Sequence, residues 1–453
     1  MHTNDMTRGE PLRLILAFAV PLLIGNVFQQ FYNVVDTMIA GYNLGDAAIA
    51  AIGATSSLSG LMINFVTGLN NGYGIVIARA FGSGDREELK SAIATTVVLD
   101  AAASLLLTAV SVAGLRPLLR LMNVPENILA DATAYILIIL AGMTATVLYN
   151  MVSGILRAVG NSKTPLWFLI FASLLNGVLD VLFVVVFRWG VCGAASATVI
   201  AQAVSALLSG VYLVKRYGDI LPEKRHFRLE PRRVRQMNST GLAMAVMLCV
   251  VDIGSVFYQR AVNELGATLI VAHVSARRII VMFMMPLGSL ATAGSTFISQ
   301  NWGARKTERI RKALKTVLAA ETVYAVAACA FGWAFGGMLV RILTATSDPE
   351  VIAKAVLSIR LHFSCYPALG ALLALRTALQ AIDRKLVPVV SSGFELGIKL
   401  LCGLWLIPSF GYIVVCLAEP VIWVVCMVFL FAVMVTGRPL RKAETELRAD
   451  FSE

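Results

Sequence analysis

The sequence predicts an all-α polytopic membrane protein, with twelve transmembrane helices in two pseudo-symmetric six-helix bundles. Three observations carry this. Of 453 residues, 58% are hydrophobic and 14% charged, with a mean hydropathy of +0.78. A soluble domain carries about 25% charged residues, so this chain has too little polar surface to solvate itself. The apolar residues also fall in blocks of about twenty or more, enough for a helix to cross about 30 Å of hydrocarbon. Finally, the blocks are continuous, whereas barrel strands alternate over about ten residues. A soluble enzyme, a nucleic-acid binder and a disordered scaffold are excluded.

In chain order the expected spans are 14–39, 47–78, 93–115, 130–156, 166–187, 191–214, 238–262, 268–299, 313–340, 351–379, 386–407 and 411–436. Arg8 and Arg13 before apolar residues 14–24 imitate a signal peptide. The run continues past Pro21 toward Met38 without a small-residue cleavage site, so it reads as a retained first helix.

Charge placement sets the topology. The formal net charge is +11, but Lys and Arg sit mostly in short connections: 26 in the tails and loops on one side, against Arg116, Arg120, Arg188 and Arg341 on the other. That asymmetry predicts that both termini are cytoplasmic.

The longest basic connection, 215–237, has eight Lys/Arg and separates an N-terminal lobe (1–214) from a C-terminal lobe (238–436), with a cytoplasmic tail at 437–453. A shift of 221 superposes Leu44-Gly45 on Leu265-Gly266, Gly82 on Gly303, Glu87 on Glu308 and Arg120 on Arg341 without a gap. Six helices per copy give both copies one orientation, as in parallel-repeat transporters.

Ionisable groups inside a bilayer cost roughly 2.5–3.5 kcal/mol each on insertion scales and therefore mark sites. In the first half these are Asp36 and Asp180, with Asn176 one helical turn before Asp180, Asn150 on the preceding span and Thr198 on the following one. Carboxylates, amide oxygens and a hydroxyl are hard ligands, suited to an alkali cation such as Na⁺ or to a shared proton. No Lys or Arg lies well inside these spans, which favours an exchangeable cation as counter-charge. Pro21 interrupts the first span, as a static kink or as a hinge.

The second half carries Asp252, His273, Arg277, Arg278, Arg376, Glu395, Lys399 and Glu419. Glu395 and Lys399, at i,i+4, are expected to form an internal ion pair. Arg277 and Arg278 either line a cavity or pair with Asp252 or Glu395. His273 and His362 have no metal-ligand spacing, and the seven Cys lack a Cys-x-x-Cys, so both sets read as packing residues.

Gly82-Ser83-Gly84-Asp85 matches the Gly-x-Gly-Asp pattern of intramembrane aspartyl proteases. It is followed by Arg86-Glu87-Glu88 and has no Tyr-Asp partner, so a helix-ending turn is the expectation. No hydrolase, zinc-protease or phosphate-loop motif is present in the sequence. The chain reads as a non-enzyme with no catalytic residues and no cofactor beyond a coupling ion.

Several stretches resemble the MATE (multidrug and toxic compound extrusion) transporters. They are Pro21 with FQQFYNVVDTMIAGYNLGDAAIAAIG (28–53), GLNNGYGIVIARAFGSGD (68–85), ILRAVGNSKTP (155–165), ISQNWGA (298–304) and LQAIDRKLVP (379–388). The likeness runs through nearly the whole chain and is DinF-like in its N-lobe residues. It implies a V-shaped pair of six-helix bundles, working as a monomer, that export organic cations against inward Na⁺ or H⁺. On the resemblance, the coupling cation is held by Asp36, Asn176, Asp180 and Thr198. The substrate cavity takes Asn150, Gln29 and Tyr32, and Pro21 is the hinge. For the family's acidic residue in the seventh helix this chain offers only Asp252. Glu395, Arg277 and Arg376 complete a weaker second-lobe set, made less anionic by Lys399 and Arg376. An alternative within transport is a flippase or exporter of a lipid-linked or amphipathic anionic substrate, served by Arg277, Arg278 and Arg376.

Overall fold

A computed structural model describes residues 5–121, 124–344 and 348–437. The tail from 438 onward lies outside the described residues. The described residues are mostly helical, without a strand. We number the spans α1 (Pro11–Gly45), α2 (Ala47–Ser83), α3 (Arg86–Leu121), α4 (Glu126–Ala141 with Met143–Ala158), α5 (Lys163–Val186) and α6 (Gly190–Arg216). The second set is α7 (Pro231–Asn263), α8 (Ala267–Gly303), α9 (Thr307–Thr344), α10 (Pro349–Ser364 with Tyr366–Ala381), α11 (Leu386–Phe410) and α12 (Tyr412–Thr436). By length and composition ten are single membrane-crossing helices, and the two bent pairs bring the number to twelve.

Two spans expected to be single helices are bent: α4 by 42° at Gly142 and α10 by 48° at Cys365. The break in α10 has a local cause. Pro367 cannot donate a backbone hydrogen bond, so the second arm starts afresh there. At α4, Gly142 offers no Cβ where Val199 of α6 crowds against it.

Packing divides the chain into two units: 1–5 with 24–245, and 6–23 with 246–453. The divisions fall inside α1 (after Leu23) and α7 (after Ala245), rather than in the basic connection. That connection is folded as part of the first unit. Short 3₁₀ turns at Gly218–Ile220 and Lys224–Phe227 dock on the start of α3. There Lys90 Nζ pairs with Glu223 Oε1 at 2.7 Å, Arg225 with Glu87 at 2.9 Å, and His226 Nε2 lies 3.0 Å from Glu87.

In the second unit residues 6–9 play the equivalent part. Met6 N–H donates to Gln300 Oε1 at 2.9 Å, Asn301 Nδ2 donates to Met6 O at 3.0 Å, and Lys306 and Arg309 donate to the carbonyls of Thr7 and Gly9. Met6 itself is buried in the second core.

The 221-residue offset is visible in the backbone. Gly45 (φ 77°) and Gly266 (φ 95°) both turn the chain between the first two helices of their repeat, a conformation costly for residues with a Cβ. The pair Gly190 and Gly411 also shares positive φ, and π-helical segments begin at Val181 and at Cys402.

Without water to drive burial, helices in lipid associate through close packing of small residues. Within the first unit, a Cβ on Gly72 of α2 would stand 2.5 Å from Gly241 Cα of α7, and one on Gly68 the same distance from Ala245 Cα. Large apolar side chains face outward where lipid would cover them, as with Leu105, Val323 and Phe431.

Candidate cation site and cavity

The candidate site lies wholly in the first unit. Tyr32 and Asp36 are one turn apart on α1, Asn176 and Asp180 one turn apart on α5, and Thr198 projects from α6. The structure brings the four expected cation residues together. Asp36 and Asp180 lie within hydrogen-bonding reach of each other. Tyr32 donates its hydroxyl hydrogen to Asn176 Oδ1, and the same hydroxyl lies against Thr198, whose own hydroxyl donates to Ala194 O at 3.1 Å. Asp180 is 1% exposed, yet among the described residues neither of its carboxylate oxygens receives a donor, and Asn176 Nδ2 is also unpartnered.

Among the described residues no Lys or Arg reaches either aspartate. Two carboxylates this close repel each other when both are ionised, a repulsion that a shared proton or a bound cation would relieve. The donor set is all oxygen, which suits an alkali ion or a proton. Among the described residues there is no group of three or more His, Cys, Asp and Glu that could hold a metal.

Asp180 is the last residue before the π-helical segment Val181–Val186, where Phe187 N–H bonds back to Leu182 O. Such segments often accompany functional sites. The second repeat has the same feature after Leu401, however, so the bulge belongs to the repeat and only the aspartate is particular to this site.

Beside the pair is a cleft whose empty volume, open solvent included, is about 420 Å³. Gln29, Tyr32, Asn176 and Thr198 line it, with Tyr149 and Gln202 as polar additions that the sequence reading did not reach. Gln202, one turn beyond Thr198, was legible from spacing; Tyr149, from the neighbouring helix, was not. Asn150 is not among the lining residues. Its Nδ2 donates to Thr146 O of its own helix at 2.9 Å. Pro21 sits inside α1 two residues before the division between the packing units.

In the second unit, Glu395 does pair with Lys399, at 3.1 Å, and Arg376 joins at 3.6 Å while donating to Ser391 at 3.2 Å. Arg277 pairs with Glu419, a partner that the sequence did not suggest. Sequence distance hid this partner because α8 and α12 are brought together only by packing. Asp252 is partly buried on α7. His362 is buried, its Nδ1 2.8 Å from Ser358 O and its Nε2 3.7 Å from Glu419. At the Gly-x-Gly-Asp stretch, Asp85 Oδ1 accepts from the N–H groups of Glu87 and Glu88 at 2.9 and 3.0 Å, the geometry of a helix cap.

A bundle of twelve apolar helices in two repeats, with an acidic pair beside a polar cavity, defines a membrane transporter. The model of the MatE family matches residues 21–182 and 243–405, and the chain belongs to that family. Members of the family are transporters, not enzymes. The chain is 28% identical over 375 residues to "Probable multidrug resistance protein YpnP" of Bacillus subtilis (strain 168), covering 82% of each chain. It is 23% identical to an "FAD transporter" of Shewanella oneidensis, covering 83% of this chain and 84% of that one. Its fold matches a solved structure described as "Crystal structure of MATE in the bent conformation", with TM-score 0.89, 22% identity, and 98% and 99% of the two chains covered.

Proposed function

We propose that this transporter is an antiporter of the bacterial cytoplasmic membrane that exports organic cations in exchange for inward Na⁺ or H⁺. Both termini are cytoplasmic in this reading, the chain acts as a monomer, and lobes 1–214 and 238–436 work by alternating access. The observation that carries it is the Asp36–Asp180 pair, with Asp180 buried, the two carboxyls within hydrogen-bonding reach, and no Lys or Arg in reach among the described residues. An incoming cation or proton removes the repulsion between the carboxylates. α1 and α5 can then adopt a packing that the charged pair opposes, with Pro21 as the point where α1 yields. Substrate and ion need not touch; each must only prefer a different state. One inward charge gains about 2.3 kcal/mol per 100 mV, which supports concentrative export when an ion gradient adds to it.

The multidrug-resistance relatives support a small lipophilic cargo, and Gln29, Tyr32 and Gln202 supply a polar and aromatic wall for it. The test is efflux of a cationic dye from proteoliposomes with Na⁺ and pH gradients imposed separately. Asp180→Asn should bring gradient-driven efflux to background at normal protein level; unchanged efflux sinks the assignment.

A second reading, export of an amphipathic anion, is favoured by one observation: the Shewanella relative is described as a transporter of FAD, an anionic dinucleotide. Heat stabilisation of the purified protein separates the two, since cationic dyes raise the unfolding midpoint under the first reading and flavin dinucleotide under the second.

A further inference from the structure

Two buried acids outside the candidate site occupy one position in the two repeats. Asp100 on α3 and Glu321 on α9 are 221 residues apart, within the stretch where the offset holds without a gap. They are 2% and 1% exposed. Their surroundings have diverged. Asp100 Oδ1 accepts from Asn70 Nδ2 on α2 at 3.2 Å. The residue corresponding to Asn70 is Ala291 on α8, which has no side-chain donor. Among the described residues no donor reaches either carboxyl oxygen of Glu321.

Glu321 lies fourteen residues into α9, roughly 21 Å along its axis. α9 packs on α8 and on both arms of α10. Gly370 from the second arm of α10 stands against Glu321, and Leu287 of α8 lies against the same glycine. A Cβ at Gly370 would stand 3.0 Å from Glu321 Cβ and 3.5 Å from Oε2, so the missing side chain makes the room the carboxyl occupies. No titratable or charged group on these elements faces it. Arg277 and His362 are directed at Glu419, Arg376 at Glu395 and Ser391, and Arg360 at the Trp333 carbonyl. On α9 itself, the hydroxyl of Tyr324 donates to Phe283 O.

An ionised carboxylate so placed would be an unpaired charge in a dry interior, at a cost of several kcal/mol that binding one proton removes. We propose that Glu321 is a proton-binding site in the second unit, separate from the Asp36–Asp180 pair, and that the proton is its resident ligand. The site is sealed as it stands, so proton exchange requires α9 to part from α8 or α10. This proposal does not rest on the ion-coupling reading, since Asp36 and Asp180 are intact in every sample of its test.

The test is difference infrared spectroscopy of the full chain in lipid nanodiscs at neutral pH, comparing wild type with Glu321→Gln. The expected result is a carboxylic-acid carbonyl band in the wild type that is lost in the variant, with helicity unchanged. Glu321→Asp, which keeps an acid in place, should shift that band instead of abolishing it, and serves alone if Glu321→Gln does not fold. Wild-type and variant spectra that coincide in the carboxylic-acid region, with difference appearing only in the carboxylate bands, overturn the proposal.

Discussion

Thr198 on α6 and Glu419 on α12 occupy the same place in the two repeats, 221 residues apart and each downstream of a positive-φ glycine, Gly190 or Gly411. Thr198 stands beside the unneutralised Asp36–Asp180 pair. Glu419 is clasped by Arg277 and flanked by His362. The same offset sets Phe257 against Asp36 and Leu401 against Asp180. One fold thus carries an open acidic pair in its first repeat and a closed ion pair in its second.

That contrast predicts opposite responses to neutralising an acid. Glu419→Gln leaves the Arg277 guanidinium without its counter-charge. Breaking a fully buried pair costs about 3–5 kcal/mol. The Arg277 side chain is 40% exposed, so a loss of roughly 1–3 kcal/mol is expected after discounting for screening. Thermal unfolding in detergent measures it, and the double substitution Arg277→Met with Glu419→Leu should recover most of the loss.

In the first repeat, Asp36→Asn or Asp180→Asn removes a repulsion and should leave the unfolding midpoint equal to wild type or higher. In the proposed mechanism the two carboxylates act as one ion-binding unit, so each single substitution should abolish gradient-driven efflux and the double should be no worse. Strong non-additivity of this kind is the signature of a shared site. Two independent partial losses that multiply in the double variant would contradict a common site.

Much of this was legible before any coordinates. The cost of an ionisable group in hydrocarbon singled out Asp36 and Asp180, and the backbone places them together. The same test, applied evenly along expected spans 93–115 and 313–340, also reaches Asp100 and Glu321. What the sequence could not supply was which acid meets which base: Glu395–Lys399 is local in the chain, but Arg277–Glu419 spans 142 residues. Nor does hydropathy see the bends at Gly142 and Cys365, because each bent pair remains one continuous apolar run.

The segment before α1 should behave as a strap on the second unit. Met6 O accepts from both Asn301 Nδ2 and Arg309 Nη2, each at 3.0 Å. Hydrogen bonds from charged donors contribute about 1.5–3 kcal/mol and neutral ones about 1. Arg309→Ala should therefore raise the rate of tryptic cleavage after Arg8 several-fold, and Asn301→Ala by less. Lys312→Ala, an exposed residue on the same helix, should leave that rate unchanged.

The matching segment before α7 predicts an acid-sensitive clasp on the first unit. Glu223 takes a hydrogen bond from Lys90 and lies close to Arg225, and these cations hold its carboxyl below the ordinary value of 4.5. A carboxyl more acidic when folded than unfolded contributes stability that is complete above the unfolded value and is lost as pH falls below it. The difference in unfolding midpoint between wild type and Glu223→Gln should accordingly be constant from neutral pH down to about 4.5, then shrink toward zero in more acid buffer. Because the pair is at the surface, raising the salt concentration at neutral pH should shrink the same difference. A difference that persists undiminished in acid and in salt would show that Glu223 holds the connection by packing and not by charge.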